Sequence, residues 1–262
     1  MDSKLQLWQG KLVNQAGRTT QIQAVVASMA QFQLGCLKIP EKSARKLESL
    51  QRNYCWNKAS KKGCKFIGWK ELNKPRRMGG LGFKNTRIFN EALLTKLAWR
   101  MLRETEAKWV QLLQARYFRN MDPLYGHIKK MGTWIWQGIQ QGLQWIRKFH
   151  IWEIGDGSRI EVAKDHWIGT ESLQESINPI NVNQVDLKVS SLIDHQNRVW
   201  KQDILQQLFN HDLISQITTI RIPPQSAVDT LRWSLTKNGS FSVQSTYNAI
   251  LKQNSQQQIS RE

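Results

Sequence analysis

The sequence is short of residues on which several classes of protein depend. Only three cysteines (Cys36, Cys55 and Cys64) occur among 262 residues. So sparse and odd a set argues against a disulfide framework and indicates a reducing, intracellular compartment. The longest apolar runs, such as residues 24–27, are far shorter than the ~20 residues that span a membrane, and residues 1–30 lack the apolar core of a secretory signal. We therefore expect no membrane partner.

Acidic side chains are scarce in the first half of the chain. Residues 1–150 contain 8 acidic and 28 basic side chains, a net charge of +20, whereas residues 151–262 contain 12 and 10, a net charge of −2. No two aspartates are adjacent. Enzymes that act on nucleic acids usually gather several carboxylates around Mg²⁺, because hard cations prefer oxygen ligands. The scattered acids of the basic half therefore predict no catalytic metal site.

A structural zinc site is equally poorly supported. Cys55 and Cys64 are nine positions apart, and no two of the five histidines lie within five residues of each other. Zinc ligands usually come in pairs two to four residues apart. We expect no metal and no other cofactor.

Charge asymmetry of this kind indicates a polyanionic partner for the basic half. We predict three segments: residues 1–57 as a helical segment, 58–150 as a basic connector followed by helices, and 151–262 as a smaller domain with a frayed tail from Gln253. The boundary near residue 150 is where the charge balance changes. The nucleus is the expected compartment for an intracellular protein with such a partner.

Hydrophobic spacing predicts an α+β protein, with a mainly helical basic N-terminal half and a smaller mixed C-terminal half containing β-hairpins. Thr19 or Thr20 is the expected cap of the first helix. Helices are predicted at 20–33, 40–56, from Ile88 onward, and at 106–118, 133–148, 200–209 and 243–252. A short strand is predicted at 65–69, and hairpins at 151–162 around Gly155–Ser158 and at 230–243 around Asn238-Gly239.

The strongest candidates for nucleic-acid contacts lie in a basic, loop-like stretch with interleaved aromatic residues. Lysine and arginine on loops neutralise phosphates, and exposed aromatic rings can stack on bases. A core position is the favoured interpretation for Trp56 and Trp69, whereas for the cations binding is favoured over a solvated loop. The candidate binding residues are Lys58, Lys61, Lys62, Lys65, Lys74, Arg76 and Arg77.

The glycine run at residues 79–82 permits two interpretations. Glycine-rich backbone can close on a phosphate through its N–H groups. This run lacks both the Gly-Lys-Ser/Thr ending of a nucleotide-triphosphate loop and a preceding apolar strand. A tight structural turn is the favoured interpretation, and its basic neighbours keep a backbone contact with nucleic acid possible.

Several short motifs together resemble a known family. Two are residues 69–75 (Trp-Lys-Glu-Leu-Asn-Lys-Pro) with the glycine run and Phe83, and residues 90–100 (Asn-Glu-Ala-Leu-Leu-Thr-Lys-Leu-Ala-Trp-Arg). The others are residues 16–18, 37–40, 154–157, 165–167 and 239–243 with Trp233 and Tyr247. In this order they resemble the region after the polymerase core of plant LINE-type (non-LTR) retroelement reverse transcriptases, whose members are often named ribonuclease H proteins.

The resemblance covers about residues 8–250. It implies that the endonuclease, palm and catalytic aspartates lie before this region, and that the zinc ligands and ribonuclease H domain follow it. Residues 151–262 would then correspond to an incomplete zinc-binding domain. We therefore expect a noncatalytic fragment that binds RNA or DNA backbone weakly and without sequence preference. The alternatives are a decayed or domesticated element product acting as a protein-interaction module, and an active reverse transcriptase or ribonuclease H.

Overall fold

A computed structural model describes residues 5, 13–56, 67–74, 76, 79–118, 121–126, 132–169, 172–173, 187–224 and 227–259. Helices dominate, and the strands among these residues form two small antiparallel sheets of two strands each. The predicted α+β class is therefore confirmed. The chain divides into two compact units, Met1–Gln144 with Val243–Glu262, and Trp145–Ser242. The division into three segments stays a prediction.

The first unit is built from helices. Helix α8 crosses its boundary with the second unit after Gln144. The helices are α1 (Gln15–Gln21), a π-helical turn (Ile22–Val26), α2 (Ala27–Met29), α3 (Gln31–Cys36), α4 (Glu41–Cys55), α5 (Trp69–Leu72), α6 (Thr86–Arg103), α7 (Lys108–Leu113), a second π-helical turn (Gln114–Phe118), α8 (Trp134–Phe149) and α11 (Val243–Ile259).

The first helix begins earlier than predicted. Asn14 is its N-cap, and the side chain of Asn14 accepts a hydrogen bond from the backbone N–H of Gly17. Thr19 and Thr20 instead bond carbonyls four residues back, so the predicted threonine cap is wrong. The predicted single helix at 20–33 is also wrong, because the π-helical turn and a break at Ala30 divide it. Asparagine caps a helix at least as well as threonine, so Asn14 was also a suitable N-cap candidate in the sequence.

Helix α4 agrees with the prediction, and Pro40 precedes its first residue. Asn85 is the N-cap of helix α6, and its side chain accepts a hydrogen bond from the backbone N–H of Ile88. Helix α6 is buried more widely than the predicted single apolar face implies, because the polar Asn90, Glu91 and Thr95 are buried together with its apolar residues. The predicted short strand at 65–69 falls partly outside the described residues, and Trp69 begins helix α5 instead.

The second unit contains both small sheets. Its elements are β1 (His150–Glu153), a 3₁₀ turn (Val189–Leu192), β2 (Ile193–Asp194), β3 (Val199–Trp200), α9 (Gln202–Leu208), α10 (His211–Thr219) and β4 (Thr230–Trp233). Strand β1 pairs antiparallel with β4, and His150 lies opposite Trp233. Strand β2 pairs antiparallel with β3. Helix α9 was predicted, whereas α10 was not.

Both predicted hairpins are wrong, because their strands pair across long sequence separations. Residues 155–159 turn their N–H groups onto the carboxylate of Asp229, so residues 159–162 form no ladder with β1. Around Asn238-Gly239 the chain does turn back, and the N–H of Trp233 donates to the carbonyl of Gly239. Helix α11 then starts at Val243 and runs to Ile259, which leaves no length for a second strand. The predicted frayed tail from Gln253 is therefore helical up to Ile259.

Two buried carboxylates hold the loops of the second unit. Asp229, 2% exposed, accepts from the N–H groups of Gly155, Gly157 and Arg159 at 2.7, 2.8 and 2.9 Å. Asp165, also 2% exposed, accepts from the indole N–H of Trp152 at 2.7 Å. A buried carboxylate is tolerated only where several donors replace its lost water. These acids therefore act as structural acceptors.

We expect Asp229→Ala to lower the free energy of unfolding by about 3 kcal/mol or more, because three buried N–H groups would lose their acceptor. Asp194→Ala is the matched control. Asp194 also accepts three hydrogen bonds, from the backbone N–H groups of Gln196 and Asn197 and the amide of Asn197, but in an exposed turn where water can replace it. Urea unfolding of both variants measures the difference. Equal losses would contradict this role of Asp229.

Candidate nucleic-acid interface

The described residues contain only part of the predicted basic cluster. Lys74 and Arg76 are exposed. The structure neither supports nor opposes their juxtaposition with the other members. Lys58, Lys61, Lys62, Lys65, Arg77 and the aromatic Phe66 lie outside the described residues.

Lys74 and Arg76 both have partners. The ammonium of Lys74 lies 2.6 Å from the carboxylate of Glu71, and both side chains are about half exposed. The guanidinium of Arg76 donates to the side-chain oxygen of Gln23 at 3.1 Å. The amide of Gln23 in turn donates to the carbonyl of Leu81 at 2.6 Å. Arg76 therefore ties the glycine-rich turn to the π-helical turn, and it presents the rest of its charge to solvent.

The glycine run forms a structural turn. The N–H groups of Gly79, Leu81 and Gly82 donate to the carbonyls of Arg76, Leu72 and Lys74 at 3.1, 3.0 and 2.9 Å. N–H groups that are already paired in this way cannot also hold a phosphate. This geometry favours the structural interpretation of the run over the phosphate loop.

Trp69 belongs to the hydrophobic core. Its ring stacks on Phe83, with centroids 5.0 Å apart and planes 20° apart, and it is 9% exposed. Trp56 packs against the same cluster and is partly buried. The core alternative is therefore correct for Trp69, because its ring has no exposed face for a base. The buried members of this cluster are Leu5, Ile22, Val26, Tyr54, Cys55, Trp69, Leu72 and Phe83.

Two titratable groups in this core are shielded from water. Burial raises the pKa of the Cys55 thiol, although a hydrogen bond with Gln15 and the charge of Arg18 oppose the shift. Burial likewise raises the pKa of Tyr54, whose hydroxyl donates to the side chain of Gln21. Cys55 is therefore a neutral core thiol and an unsuitable nucleophile.

Helix α4 carries a basic face that the spacing of its residues already indicated. Lys42 and Lys46 are exposed, and neither forms an ion pair within the described part of the chain. Arg45, between them, pairs with Glu41 at 3.0 Å. Positions four apart share a helix face, so Lys42 and Lys46 place two cations side by side.

Lys84 is a cation that the sequence reasoning missed. Its ammonium lies 4.0 Å from the centre of the Phe89 ring, and burial beside it lowers the pKa of Lys84. Lys84 forms no ion pair with any described residue. A lysine next to the Gly79–Phe83 segment could have been noted from sequence, but its position over an aromatic ring depends on the fold.

The carboxylates of the described residues do not gather into a metal site. Over those residues, no group of three or more histidine, cysteine, aspartate or glutamate side chains comes together. His150 is buried, and its Nδ1 lies 3.0 Å from the carbonyl of Ile146. Because a carbonyl only accepts, Nδ1 carries the proton. His166 stacks on His150 with ring centroids 4.5 Å apart, so both rings contribute to packing.

Within the described ranges, no helix has the length and apolar character needed to cross a membrane.

Comparison with known proteins identifies relatives along most of the chain. A protein of Arabidopsis thaliana named "putative ribonuclease H protein" is 26% identical over 255 residues, which is 95% of this chain and 41% of that protein. An uncharacterized mitochondrial protein of the same plant is 27% identical over 143 residues, which is 54% of this chain and 93% of that protein. These relatives make the chain similar to retroelement-derived, reverse transcriptase/ribonuclease H-like proteins. No family model matches it.

These relatives confirm the resemblance that the sequence motifs suggested. The chain spans less than half the length of the relative named a ribonuclease H protein. The finer assignments, to LINE-type elements and to an incomplete zinc-binding domain, stay predictions. The motif residues have structural roles here: Asp165 accepts from Trp152, Gly155 and Gly157 donate to Asp229, and Tyr247 accepts from the N–H of Asn85.

We expect Gly80→Ala to destabilise the first unit by roughly 2 kcal/mol or more, because a Cβ there would lie 2.0 Å from the carbonyl oxygen of Lys74. Gly68→Ala is the matched control, since a Cβ at Gly68 would meet nothing within 4 Å. Thermal unfolding of both variants tests the structural role of the turn. A Gly80→Ala variant as stable as Gly68→Ala would contradict it.

Proposed function

We propose that this chain binds the backbone of RNA or DNA through its basic first half, weakly and without sequence preference, and that it is not itself catalytic. The observation that carries the proposal is the unbalanced charge of residues 1–150, which is +20. Cations in such excess attract a polyanion and release its counterions. The predicted contacts at Lys58, Lys61, Lys62, Lys65, Lys74, Arg76 and Arg77 stay part of this proposal.

The local pairing of the acids supports the proposal. Glu41 interacts with both Arg45 and Arg87, Glu71 with Lys74, and Glu104 with Arg100. Glu48 accepts from the backbone N–H of Thr86. These four carboxylates of the basic half are thus already engaged, and Lys42, Lys46 and Lys84 form no ion pair with any described residue. Exposed ion pairs stabilise little, and the remaining cations are available to phosphates.

The noncatalytic part of the proposal rests on the positions of the acids. In the second unit, Asp165 accepts from Trp152 of strand β1, and Asp229 accepts from Gly155. In the first, Glu41, Glu71 and Glu104 each pair with a lysine or arginine one turn away. Metal-dependent phosphoryl transfer needs several carboxylates converging on one point.

A protein-interaction module is the second candidate, and large exposed apolar side chains favour it. Phe32, Leu112 and Trp134 are 80%, 73% and 71% exposed. Aromatic and leucine side chains in contact with water are typical of surfaces that bind proteins when they cluster. Gel filtration with light scattering separates the candidates: a stable oligomer without affinity for nucleic acid supports the module.

We expect the affinity for RNA and DNA duplexes of about 20 base pairs to fall steeply as the salt concentration rises. For DNA, each neutralised phosphate should contribute about −0.9 to the slope of log K against log salt. Replacing Lys61, Lys62, Arg76 and Arg77 together by alanine should lower affinity equally for unrelated sequences. Fluorescence anisotropy between low and moderate salt measures both effects. A flat slope would contradict backbone binding.

The matched control exchanges the same four residues while keeping their charge, lysine to arginine and arginine to lysine. Because a sequence-independent contact depends mainly on charge, this variant should retain affinity within about threefold. A loss as large as that of the alanine variant would show that specific side-chain geometry, and not charge, governs binding.

We expect no Mg²⁺- or Mn²⁺-dependent extension of a primed RNA template, and no cleavage of an RNA–DNA hybrid, by the purified chain. Labelled primer and labelled hybrid are followed over hours at high protein concentration. Activity that persists through purification and is abolished by replacing one carboxylate of this chain would overturn the noncatalytic proposal.

A further inference from the structure

A cleft in the first unit is lined by residues that do not belong to the predicted basic cluster. It is about 200 Å³ in volume and lies between the π-helical turn, helix α4 and residues 82–89. Ile22, Val26, Phe83 and Phe89 form buried apolar walls. Cavities of about 150 Å³ accept a benzene ring, so this cleft has the size of one small heteroaromatic ring system.

The polar group that defines the cleft is the amide of Gln51. Gln51 lines the cleft, is only 7% exposed, and makes no hydrogen bond with any described residue. An amide offers two donors and an acceptor to a ligand. The amide of Gln23, by contrast, is already committed to Leu81 and Arg76. Gln51 is therefore available to a ligand with both a donor and an acceptor along one edge.

Lys84 supplies the only charge among the described lining residues. Its ammonium lies against the Phe89 ring, and burial there disfavours the charged form. An anion beside it would relieve that cost. The ligand implied by these walls is thus flat and largely apolar, with hydrogen-bonding atoms on one edge and a negative charge attached.

We propose that this cleft holds one unpaired nucleotide of a single-stranded RNA or DNA, with its base between the apolar walls, its edge on Gln51 and its phosphate at Lys84. The proposal rests on the proposed nucleic-acid binding and deepens it. Bases of single strands are available for stacking and edge recognition, whereas bases inside a duplex are not. A π-helical turn in the wall fits this role, since such turns often occur at functional sites.

The test compares single strands with duplexes. The affinities of Gln51→Leu and Lys84→Met are measured by fluorescence anisotropy. The ligands are RNA and DNA homopolymers of about ten nucleotides, a strand with abasic positions, and a blunt duplex. We expect Gln51→Leu to bind single strands about three- to tenfold more weakly, the range of one hydrogen bond, and Lys84→Met to bind them more weakly by a similar or larger factor because its contact is charged. Affinity for the duplex should stay within about twofold, and the abasic strand should not respond to Gln51→Leu. Lys96→Met, an exposed lysine of helix α6 outside the cleft, is the control for charge.

The outcomes separate this inference from the proposed function. If the unmodified chain binds neither duplex nor single strands, the proposed function and this inference both fail. If the duplex binds with a steep salt dependence but Gln51→Leu leaves single strands unaffected, the cleft holds only water or serves packing, and this inference alone fails. Lys84→Met keeps the test decisive should Gln51→Leu unfold, because Lys84 is an exposed residue.

Discussion

The burial of helix α6 (Thr86–Arg103) is the constraint on which the first unit depends. Most of its side chains are removed from water, and helices α3, α4 and α11 pack on it. At its centre the amide of Asn90 donates to the carbonyls of Leu34 and Leu37 at 2.6 and 2.8 Å and accepts from the N–H of Ile39 at 3.2 Å. One buried side chain thereby satisfies the backbone where α3 ends, which a polar group in such a core must do.

The candidate binding features depend on this packing. The cleft lined by Gln51 and Lys84 lies between α4, the π-helical turn and residues 82–89, and Phe83 and Phe89 form part of its wall. The glycine turn holds Lys74 and Arg76 at the surface, since Gly80 has no room for a side chain beside the carbonyl of Lys74. Charge and cleft thus occur in the same unit, and the two proposals concern one ligand class, nucleic acid.

Helix existence was largely predictable, and strand pairing was not. Helices α4, α6, α8 and α9 were predicted from a hydrophobic periodicity that can be read within a stretch of about ten residues. Strands β1 and β4 pair across about 80 residues, so no local pattern could report their register. The Asn-Gly turn was found, but the expected hairpin around it was absent because Gly239 is followed almost directly by helix α11. In the candidate site, the core interpretation that was favoured for Trp69 is correct, whereas its stacking partner Phe83 was set by the fold.

The amino-acid sequence alone determined the α+β class, the charge asymmetry and the resemblance to plant retroelement proteins, because these depend on composition and on the order of short motifs. The tertiary structure alone decided which polar groups have partners. Asp229 became a structural acceptor through donors 70 to 74 residues away. Gln51 became a candidate ligand-binding group because packing placed it in the wall of the cleft without a hydrogen-bond partner among the described residues. Hydrogen-bond satisfaction depends on distances between atoms that only folding brings together.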